Sequence, residues 1–363
     1  MLYLSRTIRL LLLFVLSIAI LYISKSVLVP LTFGAVLAML LLPLSRWLER
    51  RGINRGISSL VSLLLFGLMV AGLVFLLHWQ IGDLLKDFSK LQEQLTNLFN
   101  EMRDYVRSQF GISTRQQQQI LKEQQSGGME KAAGMAIGTL MSTLGLLVST
   151  VLVMVYVFLF LYFRRHFKTF ILRLVSVESK TTAEKVIDEA SCVTQQYLTG
   201  LGLMIVMLWI LYGIGFSIVG IKSAIFFAIL CGILEIVPFA GNITGTAITV
   251  LIAFAQGGDI NMVFGVLITY AIVQFTQTYI LEPLIVGNQV NLNPLFTILI
   301  IVVGEAIWGI AGMVLAIPVL GMFKVVCDNV DPLKPYGYLI GNQSGKADNS
   351  IFKRMASAKN NQL

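Results

Sequence analysis

The chain has 363 residues, 56% of them hydrophobic and 13% charged, with a mean hydropathy of +0.81. Soluble domains are about half apolar and a quarter charged, so a soluble globular protein is excluded; apolar runs of roughly 20 residues, enough to span a bilayer, take up most of the length. The formal net charge of +8 does not indicate nucleic acid, because the basic residues flank apolar runs and form no stripe interleaved with aromatics.

Arg6 and Arg9 lead the first apolar run, 7–23. No small-residue cleavage site follows and a second run begins almost at once, which predicts a retained first helix. Further runs fall near 27–44, 57–78, 136–162, 200–219, 222–237, 243–256, 262–281 and 294–323, the last interrupted by Gly304, Gly309 and Gly312. The expected fold is an all-α polytopic membrane protein of about eight transmembrane helices, with broken or re-entrant segments in its C-terminal half. Five regions are expected: an N-terminal three-span membrane region over residues 1–78, an extracytoplasmic helical insertion over 79–135, a fourth span with a cytoplasmic helix over 136–199, a transport core over 200–326 and a basic tail over 327–363.

The connecting segments set an orientation. Residues 45–56 hold Arg46, Arg50, Arg51 and Arg55 against one acid, residues 164–199 hold six bases, and the tail from Lys324 holds six more. The positive-inside rule places all three, and both termini, in the cytoplasm. Residues 79–135 balance seven bases with seven acids and belong outside. Crossing at each of the first eight runs returns the chain inside near residue 282. A cytoplasmic tail then requires one break: either 294–323 enters and leaves on one side, or 238–256 is re-entrant.

Within the outer segment, Leu84, Phe88, Leu91, Leu95, Leu98, Met102 and Tyr105 alternate spacings of four and three, a heptad seam suited to a helical hairpin or a subunit contact. Residues 178–199 predict an amphipathic helix at the membrane surface, with Val186, Ile187, Ala190, Val193 and Tyr197 on its apolar side.

No phosphate loop, zinc-ligand cluster or nucleophile elbow is present, so no enzyme, metal or cofactor is expected. Cys192, Cys231 and Cys327 lie too far apart in sequence to suggest a metal or disulfide framework. His78 and His166 sit at span ends, as interfacial residues do. The informative charges are acids: residues 200–323 hold Glu235, Asp259, Glu282 and Glu305 but a single base, Lys222. Acids within a membrane cost about 2.5–3.5 kcal/mol on insertion scales and mark ion or substrate routes. Asp259 and Lys222, near span ends, can reach water. Glu235, Glu282 and Glu305 are the candidates for binding a proton or cation.

Around them the backbone is broken at Pro238 and Gly241-Asn242, at Pro283 and Gly287-Asn288, at Pro294 and Gly304, then at Gly312 and Pro318. Broken backbone at membrane depth is tolerated only against protein or a water-filled cavity, and transporters use it to build midplane sites. Asn242, Thr244, Gly245, Thr246 and Thr249 then read as pathway lining. The competing reading is that Pro and Gly are ordinary in membrane helices and that the threonines bond back to their own turn. A short echo, Gly34-Ala35-Val36-Leu37-Ala38 against Gly312-Met313-Val314-Leu315-Ala316, hints at an internal repeat.

Several stretches together resemble the autoinducer-2 exporter (AI-2E) family of bacterial permeases. They are Glu235-Ile-Val-Pro238-Phe-Ala-Gly241 with Gly245, Tyr270-Ala-Ile-Val-Gln274, Pro283-Leu-Ile-Val-Gly287, Val290-Asn-Leu-Asn-Pro294-Leu, and Trp308-Gly-Ile-Ala-Gly312 through Pro318. The chain departs from the family pattern at Gln277 and Tyr279, where an acid and an asparagine are common, and at Glu305, where a second glycine is frequent. The resemblance implies export of a small solute across a bacterial inner membrane, sodium or lithium/proton antiport in some members, and a homo-oligomer. Gln274, and Gln277 beside it, join the candidate pathway on this basis.

Two functions are therefore weighed. One is an ion-gradient-coupled secondary transporter, exporting an autoinducer-2-like signal or another small polar metabolite, or exchanging cations for protons. The other is a non-transporting membrane scaffold that binds partners through its outer helices. The intramembrane acids and serial breaks favour transport. Lipids, a small solute and a coupling cation or proton are the expected partners.

Overall fold

The computed structural model describes residues 6–86, 128–238, 240–255, 260–286 and 291–342. They form α1 (Arg6–Ile23), α2 (Lys25–Arg50), α3 (Arg55–Lys86), α4 (Gly128–Leu174), α5 (Lys180–Val219), α6 (Ala224–Leu234), α7 (Ala240–Ala255), α8 (Ile260–Thr276), α9 (Pro294–Trp308), α10 (Ile310–Asn329) and α11 (Lys334–Ile340). A π-helical stretch, Gln277–Val286, continues α8. Among the described residues six helices are long and apolar enough to cross a membrane, and α1, α6, α7 and α9 are shorter apolar helices. The protein is an all-α, multi-pass membrane protein. Almost all of the heptad seam, and Gly287 of the second break, lie outside the described residues.

Local signals explain several boundaries. Asn54 Oδ1 accepts from Ile57 N at 2.9 Å and caps the start of α3. Asn293 Oδ1 accepts from Leu295 N at 3.0 Å ahead of Pro294 in the first turn of α9, where a missing N–H costs nothing. One boundary differs from expectation. Residues 178–199 make no separate surface helix; after a 3-10 turn at Val177–Ser179, residues 180–199 are the first half of the 40-residue α5, which runs unbroken into the apolar 200–219. No proline interrupts this stretch, and the change from charged to apolar composition does not bend a helix. Its inner side packs on α4 and α10, with Asn329 donating to Glu189 at 2.8 Å and Lys168 pairing with Glu184 at 2.7 Å.

Two cores hold the helices. Ala38, Leu41, Val157 and Leu161 join α2 to α4, with Leu63 and Phe66 of α3 against them. Gly34 allows the close approach, since a Cβ there would lie 2.5 Å from Tyr156 Cβ. The second core joins α5 to α8 around Leu208, Tyr212, Phe216, Phe227, Ala253 and Val266, all nearly inaccessible. Large apolar side chains such as Leu68, Phe75 and Ile218 remain exposed on the outer helix faces, as contact with lipid requires.

The run 294–323 is broken at Gly309, whose φ of +64° and ψ of −144° suit glycine alone. α9 and α10 fold back on each other as a hairpin, packed backbone to backbone where Gly304 meets Gly312. Asn293 N donates to Ile340 O at 2.8 Å and Asn342 N to Asn291 O at 3.0 Å, so the hairpin's base is closed on one side. Its tip lies at the far end, where Trp308 Nε1 donates to Leu21 O at 2.9 Å beside the α1–α2 turn. This is the first of the two breaks that an even count of crossings allows. On a cysteine-free background, single cysteines at residues 52 and 342 should label from one face of the membrane and cysteines at 24 and 309 from the other. Labelling of 342 and 309 from the same face would remove the hairpin's transmembrane placement.

Candidate functional site

α6 has 11 residues and α7 has 16. At 1.5 Å per residue they span about 16 and 24 Å, each short of the roughly 30 Å hydrocarbon core. Between them the chain reverses within a few residues. Val237 N bonds to Leu234 O at 2.9 Å and Gly241 N to Val237 O at 3.0 Å, so the turn satisfies much of its own backbone. A Cβ on Gly241 would overlap the Leu234 carbonyl, so this position admits glycine only. The turn sets Glu235 at the end of α6 and Asn242 in the first turn of α7, both half-buried.

The π-helical stretch meets this break from the opposite side. Gln277 Nε2 donates to Glu235 Oε1 at 2.9 Å. Asn242 Nδ2 donates to Gln274 Oε1, and Gln274 Nε2 reaches Thr278 Oγ1 at 3.3 Å. Tyr270, one turn before Gln274, lies against Asn242. Glu235 with Gln277 and Asn242 with Gln274, four residues singled out from the sequence, are two hydrogen-bonded pairs, and Tyr270, which interacts with both Glu235 and Asn242, joins them into one polar cluster. A π-helical turn widens the spacing of side chains along a helix and is frequent at functional sites.

The cluster leaves acceptors over. Asn242 Oδ1 and Gln277 Oε1 are both buried and have no hydrogen-bond partner among the described residues. A buried carbonyl oxygen without a partner forfeits about 1–3 kcal/mol, so each such oxygen in a native fold calls for an explanation. One belongs to the amide bonded to Glu235 and the other to the neighbouring pair; with that carboxylate they offer oxygen ligands and a negative charge, which suits a small hard cation.

Other candidates lie elsewhere. Glu282 is exposed on the π-helical stretch, where its charge acts on Glu235 and Tyr197 without joining the hydrogen bonds above. Glu305 is exposed on α9, one turn before Gly309, and belongs to the hairpin rather than the cluster. Thr249 is buried but donates to Gly245 O at 2.8 Å within its own helix, as the competing reading of the threonines anticipates. Thr244 is exposed and Thr246 half-buried. Gly245 packs on Cys231, Pro238 lies in the turn, Pro283 lies in the π-helical stretch, and Pro318 is buried inside α10. Sequence reasoning did not single out Tyr270 and Thr278, although the spacing of 270, 274 and 278 marks one helical face.

The family model described as AI-2E family transporter matches residues 11–331. Two similar Bacillus subtilis proteins are the candidate transport proteins YueF, 24% identical with 83% of each chain covered, and YrrI, 23% identical with 84% of this chain and 86% of that one. The Escherichia coli (K12) candidate permease PerM is 26% identical over 325 residues, covering 88% of this chain and 92% of PerM.

Proposed function

Because the chain belongs to the AI-2E family of transporters, we propose that it is a secondary transporter whose coupling ion binds at Glu235. The observation that carries this reading is the partnerless buried oxygen of Gln277, the amide that bonds Glu235, together with the partnerless Asn242 Oδ1 of the neighbouring Asn242–Gln274 pair. A sodium or lithium ion held by Glu235 with the two amide oxygens balances the charge of that carboxylate in a poorly solvated place. A proton on Glu235 cancels the same charge and removes the ion's principal ligand. Cation and proton therefore exclude each other at one carboxylate, and exchange across the membrane follows if the site faces each side in turn.

The solute is a small polar metabolite, moved out across a bacterial inner membrane, with both termini in the cytoplasm. The basic segments 45–56 and 164–199 support that orientation, and the bacterial relatives named as transport proteins or permeases support the setting. The glycine-hinged α6–α7 turn and the α9–α10 hairpin, both built from broken helices, supply the discontinuous elements around which alternating access is usually built.

The test is flux in proteoliposomes with sodium, lithium, potassium and proton gradients imposed separately, and internal pH read by a trapped dye. A sodium or lithium pulse should drive proton movement in the opposite direction, with potassium much weaker. Equal responses to all three cations, or none, would remove the ion-coupled reading.

A further inference from the structure

A cavity of about 830 Å³ lies between α2, α4 and the start of α5, away from α6, α7 and α8, which carry the Glu235 cluster. Its inner end is apolar, walled by Ala35, Ala38, Met39, Leu42, Phe160 and Leu161. Its other end is strongly basic: Arg46, Arg50, Arg164, Arg165 and Lys168 line it with Glu49 and Asp188, and Lys168 also pairs with Glu184 outside the lining. Arg164 Nη2 pairs with Glu49 Oε2 at 2.5 Å, and Lys168 with Asp188 at 3.3 Å. Arg46, Arg50 and Arg165 are exposed and take part in no ion pair among the described residues. Arg164 Nη1 is buried without a hydrogen-bond partner, as is Glu49 Oε1.

We infer that this cavity binds an anionic phospholipid of the leaflet on the basic side, with its phosphate among Arg46, Arg50 and Arg165 and an acyl chain against the apolar wall. From Ala35 to Arg50 the cavity follows α2 for fifteen residues, roughly 22 Å at 1.5 Å per residue. That length suits an elongated amphiphile, while a free inorganic anion has use only for the basic end. Basic pockets between membrane helices near the cytoplasmic surface favour anionic headgroups, because bulk water there no longer screens the cations fully. The partnerless Arg164 N–H supplies a donor at the junction of the two ends, where a phosphate or ester oxygen sits. The cluster at Glu235 and this cavity share no lining residue, so the lipid is a bound structural or regulatory ligand, distinct from the transported solute.

The purified full-length protein is reconstituted with phosphatidylglycerol carrying a photoactivatable acyl chain, or with the matching phosphatidylcholine, and cross-linked peptides are mapped. Phosphatidylglycerol should label peptides containing Ala35–Leu42 and Phe160–Leu161 preferentially. Native mass spectrometry should show its retention over phosphatidylcholine, falling roughly tenfold or more in the variant R46Q/R50Q/R165Q, since each basic residue near a headgroup contributes appreciably. Labelling spread evenly over α1 and α3, equal retention of the two lipids, or unchanged retention in the variant overturns the inference. Displacement of the lipid label by millimolar inorganic phosphate also overturns it, in favour of a small-anion site.

Discussion

Glu235→Gln should strongly weaken the cation- and pH-dependent component of transport while leaving the protein folded. The amide keeps the shape of the side chain, and its oxygen still accepts the hydrogen bond that Gln277 Nε2 gives to Glu235 Oε1. What is lost is the charge. Interactions with a charged partner are worth about 1.5–3 kcal/mol, so cation affinity should fall roughly ten- to a hundredfold. Asn242→Leu and Gln277→Leu each remove a neutral oxygen and should weaken the site by less, on the order of two- to tenfold, at about 0.5–1.5 kcal/mol per neutral hydrogen-bonding group. Glu305→Gln, on the exposed side of α9, should stay within about twofold of the parent, in keeping with the small effects of surface substitutions. The readout is initial flux against sodium concentration at several pH values. If Glu235→Gln keeps the parent's sodium and pH dependence, the carboxylate does not bind the coupling ion.

The second large effect is on stability. In an exposed helix, replacing glycine by alanine changes little or stabilises slightly, because alanine is the better helix former. Gly312→Ala should do the reverse. A Cβ there would run into the backbone of Gly304, and one on Gly304 would lie 2.6 Å from the Gly312 carbonyl oxygen. Neither contact ends on a flexible side chain, so the hairpin must separate, at a cost typical of overpacking, about 1–3 kcal/mol or more. Gly202→Ala is the control: it is helical and exposed, and nothing lies within 4 Å of its added Cβ. Thermal unfolding of the detergent-solubilised protein should show Gly312→Ala several degrees below the parent and Gly202→Ala indistinguishable from it. Equal midpoints for the two variants would mean that α9 and α10 are not held at this crossing.

Much of this architecture was legible in the residues. Gly309 was marked as an interruption of an overlong apolar run, and an even number of crossings demanded a break there or near Pro238; the chain turns sharply at both places. Glu235 and Asn242 stood out as polar groups in an apolar run, Gln274 and Gln277 came in through the family resemblance, and burial forces such groups to find each other. The partners they chose were not legible, because hydrogen bonds across 32 and 42 residues depend on how α6, α7 and α8 pack. The π-helical stretch was equally hidden. Proline at 283 announces a missing donor, but whether the chain kinks, breaks or widens is decided by its neighbours. Residues 178–199 misled for a different reason: a change of composition within α5 marks where its surroundings change from water to lipid, and helix geometry is indifferent to that. Of the three acids, Glu235 alone is hydrogen-bonded to one of the candidate amides, Gln277, while Glu282 and Glu305 are exposed.

The closed base of the α9–α10 hairpin bears on the order in which the protein is made. The backbone that seals the entrance to α9 at Asn293 comes from Ile340, 47 residues later in the chain. A ribosome delivers α9 first, and at 15 residues it is too short to settle across a bilayer as a finished span. Its geometry is completed only after α10 has followed and α11 has emerged to pair Gly341 with Leu292. Insertion of this half of the protein is therefore a late, cooperative event, governed by loop closure over a long stretch of chain rather than by the greasiness of any single segment.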